Sequence, residues 1–282
     1  MSPRLFDTYI FGIHIEIFYY GVLILIGYLA AFALCSRLAK RYGIRPGEIF
    51  DAGFLAIISG FAGAKVSFLL SHPDYLRFLI AHPSLDFIFG GFDFLGGLVV
   101  GSVTVYFYLR HKKYHPFAFG DILAPGFALA HAFGRLGCFM NGCCYGFRTD
   151  DFGMCFVPES AAYIDQAAAG DIGKDALYSL PVFPTQLLEA CLLFLLAAFL
   201  TRAVIHRKFA GQAFSLYLIA YGIIRFGTQF TRDDEAISLG PLKIWHIIAL
   251  AVLLTGVLLY RYFRRKAAPP DAIRVDSPSV QS

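Results

Sequence analysis

An arginine lies near the end of an apolar segment at residues 131–146, where the chain reads HAFGRLGCFMNGCCYG. The chain is 57% hydrophobic and only 16% charged, so most of it is expected to lie in lipid. An arginine at the centre of a membrane helix costs about 2.5–3.5 kcal/mol on insertion scales. A charge kept at that cost marks a candidate functional site, and the simplest function for Arg135 is to bind an anion.

Helical spacing places other polar side chains beside this arginine. His131, Arg135 and Cys138 stand at i, i+4 and i+7, on one helix face. A later segment repeats this spacing with Tyr221, Arg225, Gln229 and Arg232. Because a guanidinium pairs bidentately with phosphate or carboxylate, the two faces predict a site for such a group.

A structural interpretation competes with the anion site. In it, Arg135 and Arg225 pair with the carboxylates of Asp121 and Glu189, or their side chains extend to the membrane interface. Both arginines stand among glycines and tyrosines in the same half of the membrane, which favours the anion site.

Seven apolar segments predict the helices that position these residues, and the fold class is an all-α membrane protein. Each segment approaches the length needed to cross a hydrocarbon core of about 30 Å. The segments are residues 17–36, 52–70, 94–109, 117–137, 185–201, 212–230 and 244–260. Lys and Arg cluster in every second loop, which predicts an external N-terminus and a cytoplasmic C-terminus.

The domain organisation is predicted to be simple. Residues 1–266 form one transmembrane domain, with an external arm or cap at about 147–183. Residues 267–282 are rich in Pro and Ser and are predicted to be a disordered cytoplasmic tail. The net charge of +4 follows from the basic loops, so it reflects the membrane topology of the chain. It does not indicate a nucleic-acid partner.

The polar residues inside the segments fall at one depth. The second, fourth and sixth segments run outward, and their polar residues lie near their C-terminal ends. The other segments run inward, and their polar residues lie near their N-terminal ends. These residues are Tyr20, Lys65, Asp93, Arg135, Gln186, Glu189, Arg225 and His246. This placement predicts a shared polar cavity near the external leaflet.

The motifs resemble those of the prolipoprotein diacylglyceryl transferase family, which are seven-span bacterial enzymes. The stretch GRLGCFMNGCCYG at 134–146 is similar to the family signature, approximately G-R-x-G-N-F-x-N-x-E-x-x-G. Further matches follow in the family's order. They are Tyr20-Gly21, Gly63-Ala64-Lys65, the run from Gly90 to Leu98, Asp121 with Ala124-Pro125, Pro184-Thr185-Gln186-Leu187 with Glu189, and Tyr221-Gly222 with Arg225 and Arg232.

The resemblance implies a transfer reaction in the bacterial inner membrane. A diacylglyceryl group moves from phosphatidylglycerol to the thiol of a prolipoprotein cysteine, a thioether forms, and glycerol phosphate leaves. The predicted catalytic residues are Arg135, Arg225, Tyr20, Tyr221 and His131. The predicted substrate-binding residues are Lys65, Gly96, Gly97, Gly134, Gly137, Cys138, Asn141, Gly146, Gln186, Glu189, Gln229 and Arg232. Neither a metal nor a cofactor is predicted, and the partners are membrane lipid and the signal-peptide region of a prolipoprotein.

The chain departs from the family pattern at several motif positions. Leu95 stands where the family carries a histidine that is thought to activate the thiol. Cys138 and Cys143 replace the signature Asn and Glu, and Gln229 replaces a Glu. Three explanations stay open: the base has moved, with His131 and His246 as candidates; the acceptor is another thiol or a hydroxyl; or the activity is lost.

Cysteines form the other unusual feature. Four of the six lie within eighteen residues, at Cys138, Cys143, Cys144 and Cys155. An oxidising exterior favours disulfides over a metal site, and the thiols also fit as replacements for the family's polar residues. Alternative functions are a paralogue with the same donor and another acceptor, a non-enzymatic anion- or lipid-binding protein, and a thiol-dependent redox or metal-binding protein.

Overall fold

The structure is a computed structural model that describes residues 3–10, 13–75, 77, 90–173, 175–233, 238–239, 242–266 and 273. Each of the seven predicted segments forms a helix, and the fourth of these helices continues through Pro125. In this part of the chain the helices are α1 (Tyr19–Lys40), α2 (Pro46–Ser71), α3 (Phe94–His111), α4 (Pro116–Asn141), α5 (Ala161–Ala169), α6 (Thr185–Ile205), α7 (Gln212–Gln229) and α8 (Ile244–Lys266). The predicted tail at 267–282 lies outside the described residues except for Ile273.

Five of these helices, α1, α2, α4, α6 and α8, are long and apolar enough to cross a membrane. The chain is therefore a multi-pass membrane protein. Helices α3 and α7 are 18 residues long and do not join that group. Helix α7 carries Arg225 and two glutamines, which lower its hydropathy. Seven crossings and the orientation of the termini stay predictions.

The described chain is mostly helical, in agreement with the predicted all-α membrane class, and a β-hairpin that was not predicted precedes the first helix. Strand β1 (Arg4–Ile10) pairs antiparallel with β2 (Ile13–Phe18). The sequence of β2, IHIEIF, alternates apolar and polar residues as a half-exposed strand does. The Arg4 guanidinium lies 3.0 Å from Glu159, which fastens the hairpin to the segment before α5. Because β2 continues to Phe18, α1 begins at Tyr19, two residues after the predicted span.

The described chain divides into two compact units, residues 1–38 with 120–270 and residues 39–119 with 271–282. In the first unit, α4 packs against α6 through buried alanines and leucines. They are Ala124, Ala128, Ala132, Leu193, Leu196, Ala197 and Leu200. Alanines four residues apart let two helices approach closely, as membrane helices do. Two-residue strands β3 (Ser238–Leu239) and β4 (Leu242–Lys243) lead into α8.

The segment predicted as an arm contains α5 and a small core. Phe139 at the end of α4 packs with Phe156, Ala162 and Val182. The Ser160 hydroxyl caps α5 by accepting the backbone N–H of Tyr163 at 3.3 Å. This apolar core gives the segment a fixed structure against the end of α4.

In the second unit, α2 and α3 pack through glycines. A Cβ on Gly63 would lie 2.9 Å from the Gly96 carbonyl oxygen, and one on Gly97 would lie 2.9 Å from the Gly60 carbonyl oxygen. Asp93 caps α3 by accepting the Leu95 N–H at 3.1 Å. The Ser67 hydroxyl donates to Asp93 at 2.5 Å and lowers the pKa of that carboxyl.

Candidate active site

Arg135 lies against a buried carboxylate. Its Nε is 3.1 Å from Glu189 Oε2 on α6 and 3.3 Å from Nε2 of His131, one turn earlier on α4. The Glu189 side chain is 1% exposed and that of Arg135 is 14% exposed. The carboxylate offsets the cost of burying the guanidinium. The remaining exposure leaves part of the guanidinium accessible to a ligand.

The structural interpretation of the arginines was right for Glu189 and wrong for Asp121. Asp121 pairs with Arg207, whose Nη1 lies 3.3 Å from Asp121 Oδ2. The backbone N–H groups of Gly211 and Phe214 also donate to this carboxylate, at 2.7 and 2.9 Å. Asp121 therefore fastens the start of α7 to α4, and its charge is satisfied there.

Tyr221 on α7 joins the two predicted arginine faces. Its ring centroid lies 5.5 Å from that of His131 on α4. Four charged groups lie within electrostatic reach of its hydroxyl, Glu189, Arg225, Arg135 and Arg232. Three cations and one carboxylate leave a net positive charge. The two faces thus meet in one cluster, as the sequence predicts.

Arg225 has a hydrogen-bonding group to offer to a ligand. Its Nη1 is buried and has no hydrogen-bond partner among the described residues. Its guanidinium lies 5.9 Å from the ring centroid of Trp245, which supports it by a cation–π contact. A buried donor left without a partner costs about 1–3 kcal/mol, so an anion placed there would recover that cost. Sequence reasoning missed Trp245, and no motif points to it.

A cavity of about 710 Å³ opens beside the end of α4. Its lining comes from β2, α1, α4 and the loop that follows α4. The lining residues are Glu16, Ile17, Phe18, Tyr20, Gly21, Val22, Leu25, Cys138, Asn141, Cys143 and Cys144. Tyr20 reaches α4 because Gly137 has no side chain: a Cβ there would lie 2.9 Å from Tyr20 Cδ2. A Cβ on Gly134 would meet open space. The β2 residues were missed, although their alternation was a readable signal.

Three cysteines form a cluster at this cavity. The Sγ atoms of Cys138, Cys143 and Cys144 all lie within 4.8 Å of one another. The loop turns back onto α4 through left-handed backbone at Gly142 (φ 66°) and Cys144 (φ 60°). The thiols of Cys138 and Cys143 donate to the Cys144 sulfur and lower the pKa of Cys144. All six cysteines are free thiols, and Cys155 is exposed.

Gln186 and Gly146 build the frame around this loop. Gln186 is buried, and its Nε2 donates to the Cys143 carbonyl oxygen at 2.7 Å. Gly146 leaves no room for a side chain, since a Cβ there would lie 2.9 Å from the Phe183 carbonyl oxygen. Gln229 is buried near the end of α7. The contacts of Gln186 and Gly146 give these two residues a packing role, while the contacts of all three residues with substrate stay predictions.

Lys65, Gly96 and Gly97 lie in the second compact unit. The Lys65 ammonium donates to the Gly90 carbonyl oxygen at 2.5 Å and faces the rings of Phe68, Tyr75 and Phe92. The two glycines lie where α3 packs against α2. Their predicted roles in substrate binding stay predictions.

His246, a candidate for a displaced base, has a structural position. It is 2% exposed, and its Nδ1 accepts the backbone N–H of Lys243 at 3.1 Å. Its ring packs on those of Phe226 and Phe230, with centroids 5.2 and 4.5 Å away. These contacts fix the first turn of α8 and occupy the nitrogen that would have to accept a proton.

Comparisons with known proteins agree with the motifs. A family model described as prolipoprotein diacylglyceryl transferase matches residues 8–262. The chain is 32% identical over 260 residues to "Phosphatidylglycerol--prolipoprotein diacylglyceryl transferase 2" of Clostridium perfringens, covering 91% of this chain and 94% of that protein. It is 30% identical to the transferase of Clostridium tetani, covering 94% and 98%. It is 29% identical to that of Staphylococcus carnosus, covering 91% and 90%.

Proposed function

This chain belongs to the prolipoprotein diacylglyceryl transferase family, and we propose that its arginine cluster holds the phosphate of phosphatidylglycerol during transfer. The chain is a transferase that moves the diacylglyceryl group of phosphatidylglycerol to a cysteine thiol of a prolipoprotein. The observation that carries the assignment of residues is the meeting of Arg135, Arg225 and Arg232 around Tyr221.

The cluster suits the departure of a phosphate. As the carbon–oxygen bond of the glyceryl group breaks, negative charge grows on the leaving phosphate. Arg225 has a buried N–H group with no partner among the described residues, and Arg135 is held by Glu189. Donors fixed in this way need no reorganisation at the moment of reaction, which is how such groups lower a barrier.

The cavity beside α4 is proposed to take the reacting part of the lipid and the acceptor. Tyr20 and Asn141 lie in its wall and are placed to contact the glycerol or the phosphate. The apolar side chains of α1 in the same wall suit an acyl chain. Gly134 and Gly137 let other groups approach α4 closely, and only at Gly137 does a neighbouring side chain already occupy that space.

The membrane arrangement belongs to the same proposal. We place the enzyme in the bacterial inner membrane with seven spans, an external N-terminus and a cytoplasmic C-terminus. The basic loops support this orientation. They carry Arg37, Lys40, Arg41, Arg45, Arg110, Lys112, Lys113, Arg202, Arg207, Lys208, Arg261, Arg264, Arg265 and Lys266.

A transfer assay tests the proposed function. Purified protein is incubated with phosphatidylglycerol and a lipobox peptide that carries cysteine, or serine as a control, and the products are measured by mass spectrometry. We expect a thioether on the cysteine peptide and release of one glycerol phosphate for each peptide modified. Glycerol phosphate without a thioether would instead identify a paralogue with another acceptor. Absence of both products would contradict the function.

His131 is proposed to position Arg135 and not to act as the base. Its Nε2 accepts a hydrogen bond from Arg135 Nε at 3.3 Å, so the Arg135 guanidinium occupies the nitrogen that a base would use. We therefore expect His131→Gln, which keeps an acceptor for Arg135, to retain transfer within about fivefold of the wild-type rate. General-base catalysis is worth about 100-fold to 10,000-fold, so a loss of that size would assign the proton transfer to His131.

A further inference from the structure

We propose that Cys138, Cys143 and Cys144 bind a zinc ion whose fourth position is open to the cavity and takes the acceptor thiol. The inference rests on the proposed function, because the transfer needs a thiolate as its nucleophile. The three sulfur atoms lie within 4.8 Å of one another. In a tetrahedral site with Zn–S bonds of about 2.3 Å, the sulfur atoms stand about 3.8 Å apart. Small side-chain rotations therefore suffice to bring all three onto one ion.

The backbone is built to hold this cluster. Cys144 adopts a left-handed conformation (φ 60°) that side chains other than glycine rarely take. The Cys143 N–H donates to the Cys138 carbonyl oxygen at 3.1 Å, and Gln186 holds the Cys143 carbonyl oxygen at 2.7 Å. Backbone kept in such a conformation by surrounding contacts is typical of ligand-binding positions.

The surrounding charges suit a zinc thiolate. Three thiolates and one Zn²⁺ carry a net charge of −1. The guanidinium groups of Arg232 and Arg135 lie within electrostatic reach of Cys144 and compensate that charge. Thiolate ligands select soft ions such as zinc, and three protein ligands with an open fourth position are the pattern of catalytic zinc sites.

The cavity supplies the open position. Cys138, Cys143 and Cys144 all contribute to its wall, beside Tyr20 and Asn141. A thiol that enters the cavity can therefore reach a metal ion held by the three sulfurs. The alternative proton acceptors that the sequence offered are poorly placed for this task. Leu95 has no acceptor atom, and the ring nitrogens of His131 and His246 named above already accept hydrogen bonds.

The zinc ion keeps its oxidation state throughout the proposed reaction. The acceptor thiol displaces a water molecule from the zinc and loses its proton to solvent, because a coordinated thiol is deprotonated. Its sulfur then attacks the glyceryl carbon that carries the phosphate ester. A carbon–sulfur bond forms, the carbon–oxygen bond breaks, and the electron pair leaves with glycerol phosphate beside Arg135 and Arg225. The three cysteines keep their oxidation state throughout.

Metal binding by the full-length protein in detergent tests the site. Zinc content is measured by inductively coupled plasma mass spectrometry, and zinc affinity is measured by competition with a chromophoric chelator. We expect about one zinc ion per chain in the wild type, and an affinity at least about 100-fold lower in Cys144→Ser, since even losing an outer-shell partner costs 10-fold to 100-fold. The matched control is Cys155→Ser, which changes an exposed cysteine and should bind zinc like the wild type.

Thermal unfolding of each metal-free variant confirms that it folds. Equal zinc affinity in the wild type and Cys144→Ser would overturn the site. Selective binding of Cu(I) would also overturn it, because three thiolates complete the coordination of Cu(I) and leave no open position.

The open position is tested separately from catalysis. The protein is loaded with Co²⁺, and the thiolate-to-cobalt absorption is recorded while a lipobox peptide with cysteine or with serine is added. We expect the cysteine peptide alone to increase this absorption, because a fourth thiolate joins the metal. No change with the cysteine peptide would overturn the proposed step. A spectral change without any diacylglyceryl transfer in the lipid assay would support the metal site and refute the proposed function, so the two failures are distinguishable.

Discussion

Replacement of Arg135 by lysine is expected to lower the rate of diacylglyceryl transfer by about 100-fold or more, with little change in expression. Lysine keeps the positive charge but loses the planar fork that pairs with two phosphate oxygens at once. It also loses the Nε group that lies 3.1 Å from Glu189 Oε2. Rates are measured with phosphatidylglycerol and the lipobox peptide, at equal amounts of folded protein.

The matched control for this substitution is Arg45→Lys. The Arg45 side chain is 83% exposed at the start of α2, and its Nη2 lies 3.6 Å from Oε1 of Glu48, whose side chain is 12% exposed. Lysine keeps the positive charge beside Glu48 at this exposed position, so this variant should transfer at the wild-type rate. If Arg135→Lys kept its rate within threefold of the wild type, Arg135 would not be binding the phosphate.

The second large effect concerns stability. Asp121→Asn is expected to destabilise the protein by about 3–5 kcal/mol, the usual cost of removing one partner of a buried ion pair. The substitution removes the carboxylate charge that lies 3.3 Å from the buried Arg207 guanidinium. Because asparagine keeps only one of the two side-chain oxygens, the substitution also leaves either the Gly211 or the Phe214 N–H at the start of α7 without its acceptor. For a chain of this size we expect the unfolding midpoint in detergent to fall by about 10 °C.

Asp74→Asn provides the control for this second effect. Asp74 pairs with Arg77 at 3.4 Å, but the two side chains are 93% and 82% exposed. Its replacement should move the midpoint by no more than about 2 °C, since a surface pair contributes little. An Asp121→Asn midpoint as close to the wild type as that of Asp74→Asn would show that the buried pair does not hold α7 to α4.

The positions of the long helices were predictable from the sequence. Long apolar segments must satisfy their own backbone hydrogen bonds in lipid, and a helix does this within one segment. For this reason all seven predicted segments are helical, with ends that differ by a few residues. Helices α2 and α3 pack through glycines because only small residues allow helix backbones to approach closely.

The N-terminal hairpin was not predicted because its second strand adjoins the apolar residues of the first helix. Residues 13–18 alternate in the way a strand does, but they lead directly into an apolar run. The apolar run without Glu, Lys or Arg begins at Ile17, directly after Glu16, so the helix was predicted to start at residue 17. The missed strand also affects the prediction of the site, because Glu16, Ile17 and Phe18 line the cavity beside α4.

The sequence by itself determined the family, the helical segments and the presence of arginines that need a partner or a ligand. Only the tertiary structure decided that Arg135 pairs with Glu189 and that Asp121 pairs with Arg207. It also brought Cys138 together with Cys143 and Cys144. Helical spacing fixes which residues share a face within one segment, but partners on other helices depend on how each helix is rotated and packed. The thiol cluster depends further on left-handed backbone at Cys144, which no pattern of residue types predicts.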